Sequence, residues 1–370
     1  MNIGFDAKRA FFNRSGLGNY SRNLIRALET CFPDHRYFLY TSTAENSLFD
    51  HFSSEVVTPK GMDAYFPSHW RNRHLSPDIT AHQLDIFHGL SNQLPADIEK
   101  SHVKSVVTFH DVIFMRHPEW YKWHDRMVYK RKTAFAVRKA DAIIAISRQT
   151  KDDLIRFFNA DENKISVIYQ PCDPLFTKPY TEEQKETVRK KWSLPAHFLL
   201  MVGNIEKRKN IMHVLQALQR KRLDIPLVIV GKQNQYAEEL KRYVNENHIP
   251  DVFFLHDISR EELPLIYLSA DIFIYPSFFE GFGIPVLEAI STSVPVIAGD
   301  NSCLKETGGD AALYVDPGNI DQIAETIEIL WNDQHIRESL REKARIQAQL
   351  FNMENYAARM IRLYEDLLSH

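Results

Sequence analysis

Two glutamates, Glu280 and Glu288, stand eight positions apart with Gly281, Phe282, Gly283 and Pro285 between them. A carboxylate accepts hydrogen bonds through two oxygens, so each glutamate can grip a sugar diol. Gly281 and Gly283 allow a ligand close to the backbone, and Pro285 suits the first turn of a helix. The amides at such a helix start form an anion site. The pair therefore has the makings of a grip on two diols, one on a transferred sugar and one on a ribose. Alone, Glu288 reads as a complement to the helix dipole and Glu280 as a loop cap. The glycines and the proline between them favour the first reading.

A second group is Gly203-Asn204-Ile205-Glu206-Lys207-Arg208-Lys209-Asn210. Asn210 is placed to cap a helix beginning at Ile211. Arg208 and Lys209 then lie at its positive end and can stabilise a leaving pyrophosphate in place of a metal. The alternative is a solvated basic loop. A third group, Ser15-Gly16-Leu17-Gly18-Asn19-Tyr20, is read as a tight turn before the first helix, with amides facing a ligand. It lacks the dinucleotide fingerprint, whose third glycine falls at Ser21. A plain strand–helix turn fits it equally. His110, in Thr108-Phe109-His110-Asp111, ends a buried strand, where it can donate to a sugar hydroxyl or serve as a satisfied structural histidine. No H-E-x-x-H, D-x-D or P-loop motif occurs, so no metal site and no metal requirement are expected.

Parallel strands are the elements that place such loops together. Apolar runs at Asn2–Phe5, Tyr37–Tyr40, Ile86–His88, Val103–Phe109 and Ala142–Ile146 alternate with helical spacing. The second half repeats this at Leu199–Val202, Leu227–Val230, Val252–Leu255, Ile272–Tyr275, Val294–Ala298 and Leu313–Val315. Tyr20, Leu24, Ile25 and Leu28 fall on one helical stripe, as do Ile211, Val214, Leu215 and Leu218. Continuous apolar strands with helices between them mean an α/β chain with parallel sheets covered on both faces. Its 370 residues suit two domains. The alternation breaks at Pro171-Cys172-Asp173-Pro174, followed by a charged helix from Thr181 to Lys191. The boundaries are therefore placed at 1–170 and 171–351. The helical pattern running from His335 to the end is expected to bend near Asn352.

The chain is 44% hydrophobic and 25% charged with a formal net charge of −3, which gives no general field for nucleic acid. Three scattered cysteines, Cys31, Cys172 and Cys303, suit a reducing cytoplasm. Neither a signal peptide nor a membrane-spanning run is expected. The segment 122–139 mixes Lys122, Arg126, Lys130, Arg131, Lys132, Arg138 and Lys139 with Trp123 and Tyr129. It reads either as a solvated amphipathic helix or as a surface that meets anionic membrane headgroups or a lipid-diphosphate acceptor.

With these residues in hand, the chain resembles glycosyltransferase family 4, of the GT-B fold, over nearly its whole length. The similarity is densest from Ser259 to Pro317, including Tyr275-Pro276-Ser277, the Glu280–Glu288 motif and Pro295-Val296-Ile297-Ala298. The resemblance implies two Rossmann-like domains facing across a cleft, the first binding the acceptor and completed by the C-terminal helix 352–370. It implies that Glu280 holds the donor sugar, Glu288 the ribose, and Arg208 and Lys209 the pyrophosphate. The Gly16–Gly18 loop would close over the phosphates beside Gly203, and His110 would face the sugar. Many members carry an arginine where this chain has Asn204, and Arg208 is placed to supply that charge.

The expected activity is metal-independent transfer of a hexose, with retention, from a nucleotide sugar to a glycan or lipid-linked saccharide. GDP-mannose is favoured over a UDP-hexose such as UDP-glucose. The leaving phosphate would assist deprotonation of the acceptor on the same face. Cell-surface polysaccharide synthesis in the cytoplasm or at the inner membrane face fits this chemistry. A sugar-nucleotide 2-epimerase or a non-enzymatic sugar-binding protein are the readings that stand against it.

Overall fold

The central apolar runs lie between helices and bury both faces, the condition for an interior parallel strand, whereas Val252–Leu255 at a sheet edge is only partly buried. The computed structural model describes residues 1–13, 16–44 and 53–369. The chain divides into two units, Met1–Pro171 with Phe351–His370, and Cys172–Leu350. Ser15 lies outside the described residues.

In the first unit the strands are β1 (Asn2–Asp6), β2 (Arg36–Tyr40), β3 (Glu55–Val57), β4 (Ile86–Gly89), β5 (Lys104–Phe109), β6 (Ala142–Ala145) and β7 (Ile165–Val167). They form a parallel sheet in the order β3-β2-β1-β4-β5-β6-β7. The second unit holds β8 (Leu199–Val202), β9 (Leu227–Val230), β10 (Val252–Leu255), β11 (Ile272–Tyr275), β12 (Val296–Gly299) and β13 (Ala312–Val315). Their order is β10-β9-β8-β11-β12-β13, again parallel. Both sheets reverse direction of growth beside their first strand, between β1 and β4 and between β8 and β11. In open parallel sheets ligands sit outside the strands' carboxyl ends at such a reversal. The pairing of Ile272 with Leu199 and Phe273 with Leu200 sets Tyr275 level with Val202. The segments after β8 and β11 therefore leave the sheet side by side.

The expected strands form, with two additions. β3 and β7 are edge strands of three residues each that include Glu55 and Ser166. A half-exposed edge needs no continuous apolar run, so neither stands out in sequence. β12 begins at Val296 rather than Val294: the Val294 amide closes the preceding helix on Ala289 O, and Pro295 has no amide to pair.

One reading of a loop is corrected. A short helix, Lys8–Phe12, follows β1, and Gly16 and Gly18 lie in the first turn of the helix Gly16–Cys31 rather than in a turn before it. A Cβ on Gly18 would stand 1.8 Å from Asn13 O, whereas one on Gly16 meets nothing within 4 Å. Gly18 thus serves close backbone packing. The charged segment forms a helix, Glu182–Lys191, with a capping box from Thr181 and Gln184.

The C-terminal helical pattern breaks at Gln349–Phe351, and Asn352 caps the final helix, Met353–Ser369, by accepting from the Asn355 amide at 2.7 Å. That helix packs in the first unit: the Tyr364 hydroxyl bonds His88 Nδ1 at 2.7 Å, and Tyr356 meets the edge of Tyr20. Among the described residues no helix is long and apolar enough to cross a membrane.

Candidate active site

In the second unit two loops are laced together at the sheet reversal. After β8, Gly203 turns the chain with φ of 141°, and Lys207–Lys209 form one tight turn. Asn210 occupies the position before the helix Ile211–Arg220, but its side chain does not cap that helix. It adopts a left-handed backbone, and its amide donates to Pro276 O at 3.1 Å and Pro317 O at 2.7 Å. From the other loop the Phe278 amide donates to Arg208 O, and the Ser277 hydroxyl oxygen lies 2.9 Å from the same carbonyl. These bonds hold the basic turn against the segment that carries Glu280.

The side chains then converge on one oxygen. Lys209 Nζ lies 2.6 Å and an Arg208 Nη1 2.8 Å from Glu280 Oε1. Ser277 donates to the same oxygen at 2.6 Å and the Tyr275 hydroxyl at 3.1 Å, while Lys209 also donates to the Tyr275 oxygen. Lys209 and Glu280 are only 8% and 7% exposed. Burial pushes the Glu280 carboxyl up, but the charges of Lys209 and Arg208 outweigh it and pull it down to about 2. Lys209 is held below the usual lysine value by burial, which Glu280 only partly opposes. Arg208 also bonds Glu206 Oε2 at 2.8 Å. Glu280, Arg208 and Lys209 thus form one unit, with Glu280 Oε1 saturated by protein donors.

Glu288 has the opposite environment. It sits in the helix Ile284–Ser291, buried, and accepts from the Tyr267 hydroxyl at 2.9 Å. Burial first, then the charge of Asp173, raise its carboxyl to about 8, against the Tyr267 bond. A protonated Glu288 carries a donor as well as acceptors, so the raised value lets this side chain meet a hydroxyl in either sense.

Between the two glutamates, Gly283 takes φ of 94°, and a Cβ there would strike Leu304 at 2.4 Å. The carbonyls of Glu280 and Phe282 are held from behind by Cys303 and Thr307. Among the described residues the amides of Gly281 and Gly283 have no hydrogen-bond partner. Gly203 differs: its amide pairs with Val230 O at 3.0 Å, so it shapes the turn and offers no free amide to a phosphate.

In the first unit His110 follows β5. Its Nε2 donates to Leu90 O at 2.9 Å, and its ring meets the edge of Tyr20 at 4.6 Å. A carbonyl only accepts, so Nε2 carries the proton. Burial lowers the imidazole to about 4, with Arg9 adding to the effect and the Leu90 bond opposing it. His110 is therefore neutral at pH 7, and its Nδ1 is an acceptor. The expected donation to a sugar hydroxyl is reversed: the ring can receive such a hydrogen bond.

The helix Trp123–Lys139 buries Thr133, Ala136 and Val137, all in its second half. Its first half exposes Trp123, Met127, Val128 and Tyr129 next to Lys130 and Arg131. Among the described residues no three His, Cys, Asp or Glu side chains cluster as metal ligands do.

Sequence reasoning assigned no role to Tyr275, Ser277 or Tyr267. Ser277 carried a signal, standing three residues before Glu280 at the end of a strand. Tyr267 carried none, because it reaches Glu288 from a separate helix, Leu263–Ser269.

Comparison with known proteins places this arrangement. The family Glycosyl transferases group 1 matches residues 183–347, and Glycosyltransferase Family 4 matches residues 14–174. O-antigen chain mannosyltransferase B of Escherichia coli is 32% identical over 287 residues, covering 76% of this chain and 74% of that protein. O-antigen chain mannosyltransferase RfbU of Salmonella typhimurium is 28% identical over 232 residues, 60% of this chain and 62% of that one. A crystal structure of Anabaena Alr3699/HepE in complex with UDP and glucose superposes with a TM-score of 0.80 at 19% identity, over 99% of this chain and all of that one, 100%. The last likeness shows the fold, two Rossmann-like parallel-sheet units of the GT-B class. The chain belongs to glycosyltransferase family 4 and is a hexosyltransferase.

Proposed function

We propose that the chain transfers mannose from GDP-mannose to a glycan or lipid-linked saccharide, with retention of configuration and without a metal, in cell-surface polysaccharide synthesis. The observation that carries this reading is the convergence of Lys209 and Arg208 on Glu280 at the β8–β11 reversal. The two cations are sited to take the donor's diphosphate, with the amides of Gly281 and Gly283 beside them. Glu280 has one carboxylate oxygen saturated by protein donors, which leaves Oε2 for a sugar hydroxyl. Mannose is favoured because the E. coli and Salmonella relatives are both named mannosyltransferases.

The acceptor hydroxyl attacks C1 on the face from which the phosphate departs. As the bond from C1 to the β-phosphate oxygen breaks, the acceptor's proton passes to a phosphate oxygen. Arg208 and Lys209 hold the charge that develops there. His110, a neutral acceptor, orients a hydroxyl and takes no proton. The acceptor is assigned to the first unit, and the exposed aromatic and basic side chains of Trp123–Lys139 to contact with an anionic inner membrane face.

A UDP-hexose is the second reading, favoured by the UDP and glucose in the Anabaena structure. A thermal-shift panel separates the two. The true donor raises stability by RT ln(1 + [L]/Kd), about 2.7 kcal/mol at a hundred times Kd. A shift with UDP-glucose and none with GDP-mannose overturns the mannose assignment. Turnover lost on adding EDTA overturns the metal-free mechanism.

A further inference from the structure

β4 ends at Gly89, level with Val107, while β5 runs on to Phe109. Past that point β4 offers no strand partner to the backbone groups of Thr108 and His110 on its side. A buried peptide group without a partner is costly, so another group must replace the ladder. Asn92 does so. Its backbone amide donates to Thr108 O at 2.9 Å. Its side-chain oxygen accepts from the His110 amide at 2.8 Å, and its side-chain nitrogen donates to Asp111 O at 3.1 Å. The Asn92 carboxamide thus stands in for the missing peptide of β4.

Asparagine suits this position on two counts. Asn92 has a left-handed backbone with φ of 58°, which asparagine tolerates better than most residues. Its side chain must also accept at one end and donate at the other. Aspartate lacks the donor, and glycine lacks both. The turn that carries it is tight, since a Cβ on Gly89 would stand 2.1 Å from Gln93 O. The same turn holds the ring, because Leu90 O receives the His110 Nε2 proton at 2.9 Å. Leu90 lies two residues before Asn92, so the bonds that tie Asn92 to residues 108–111 keep that carbonyl within reach of the imidazole. From the other side the Thr150 hydroxyl donates to His110 O at 3.3 Å, and the Ser147 hydroxyl donates to Thr150 at 2.9 Å. His110 is fixed at its amide, its carbonyl and Nε2. Among the described residues its Nδ1 has no partner.

We propose that Asn92 is a positioning residue for the transfer reaction: by completing the β4–β5 ladder with its side chain it sets the plane and tautomer of His110, and so presents Nδ1 to a substrate hydroxyl. The proposal deepens the reading of His110 as the acceptor of that hydroxyl and rests on it. Asn92 acts through the imidazole and not on substrate.

The test uses the full chain, labelled with heavy nitrogen at histidine, and compares N92G, N92D and H110A. N92G keeps the left-handed turn without strain and removes both side-chain bonds. N92D keeps the acceptor for the His110 amide, loses the donor, and brings a carboxylate to the His110 peptide. The ring-nitrogen resonances of His110, assigned by their loss in H110A, report its tautomer and titration whether or not any sugar is turned over. The wild type should show a proton on Nε2 and no titration above pH 6. N92G should lose that single tautomer and average the two nitrogens. N92D should titrate at higher pH than the wild type, because a neighbouring negative charge favours the imidazolium. In GDP-mannose turnover N92G should lower kcat/KM about fivefold, but less than about twofold in the H110A background, since two residues acting through one ring are not additive. N92D should gain an acid limb in its pH–rate profile that N92D/H110A lacks. Wild-type ring resonances in N92G overturn the positioning role. So does a loss from N92G that persists undiminished in H110A, which would confine Asn92 to the fold. If the wild type turns over neither GDP-mannose nor UDP-glucose, the functional reading fails, and the ring resonances alone decide whether Asn92 sets His110.

Discussion

Lys209 Nζ and Glu280 Oε1 lie 2.6 Å apart, both buried, at the point where β8 and β11 release their loops side by side. In K209M the Glu280 carboxylate keeps Arg208 at 2.8 Å, but removing Glu280 leaves Lys209 buried without an opposite charge, at a cost of about 3 kcal/mol or more. E280Q should therefore destabilise the chain more than the double variant K209M/E280Q does. Denaturant midpoints at constant m-value measure the difference. All these variants should lose turnover, K209M by about 100-fold, because a cation on the leaving phosphate lowers the barrier by about 3 kcal/mol. Wild-type turnover in K209M would sink the clamp.

The two glutamates of the motif give opposite pH responses. Glu288, raised to about 8, keeps its proton in the native chain while the unfolded chain loses it near the ordinary carboxyl value. The unfolded state then binds fewer protons, so this group's contribution falls as pH rises from about 4.5 to about 8. Glu280, lowered to about 2, contributes stability above the ordinary carboxyl value that is lost as pH falls toward 2. Glutamine imitates the neutral acid, so E288Q should overtake the wild type in Tm as pH climbs from 5 to 9. Parallel melting curves across that range would show that Glu288 is already ionised in the native state.

His110 should leave no mark on the pH–rate profile above pH 6. Its ring is already neutral there, with Nε2 held by Leu90. Its depressed value means that its stabilising contribution, complete above about 6.5, disappears as pH falls toward 4. H110A removes an acceptor for a substrate hydroxyl and should lower kcat/KM about tenfold. An inflection near pH 6.5 that vanishes in H110A contradicts the assigned tautomer.

How much of this could be read from residues alone depends on which contacts are local. The strands of the second unit were legible because each is a continuous apolar run, and the edge strands β3 and β7 were not, because one buried side suffices there. Glu280, Arg208 and Lys209 were picked out separately by their neighbours in sequence. That they close on a single oxygen depends on the pairing of β8 with β11, two strands separated by about seventy residues. The charge state of Glu288 was hidden for the same reason, since Tyr267 and Asp173 come from other segments. His110 was legible as a site residue, but its proton position follows from Leu90 O, a backbone atom with no sequence signature.

Gly16 and Gly18 look equivalent in sequence and differ in the fold. G18A drives a Cβ into the Asn13 carbonyl, a backbone atom that cannot rotate away, and should destabilise by about 2 kcal/mol. G16A meets open space and should be neutral or stabilising by up to about 1 kcal/mol. Thermal melts of the two variants compare them directly. Equal losses would mean that the first turn of the helix Gly16–Cys31 is not packed under Asn13.

The helix Trp123–Lys139 supplies the last expectation. Trp123 is 75% exposed and Met127 follows one turn later, with Lys130 and Arg131 beyond it. An aromatic ring inserts at the headgroup level, while each basic side chain near an anionic surface adds about 1 kcal/mol. The two contributions separate by salt, since only the second is screened. K130Q/R131Q should weaken flotation with phosphatidylglycerol vesicles about 30-fold at low salt and little at high salt, the equivalent of about 2 kcal/mol. W123S should weaken it at both. Variants that float like the wild type would remove this helix from the membrane contact and leave its exposed aromatics to another partner.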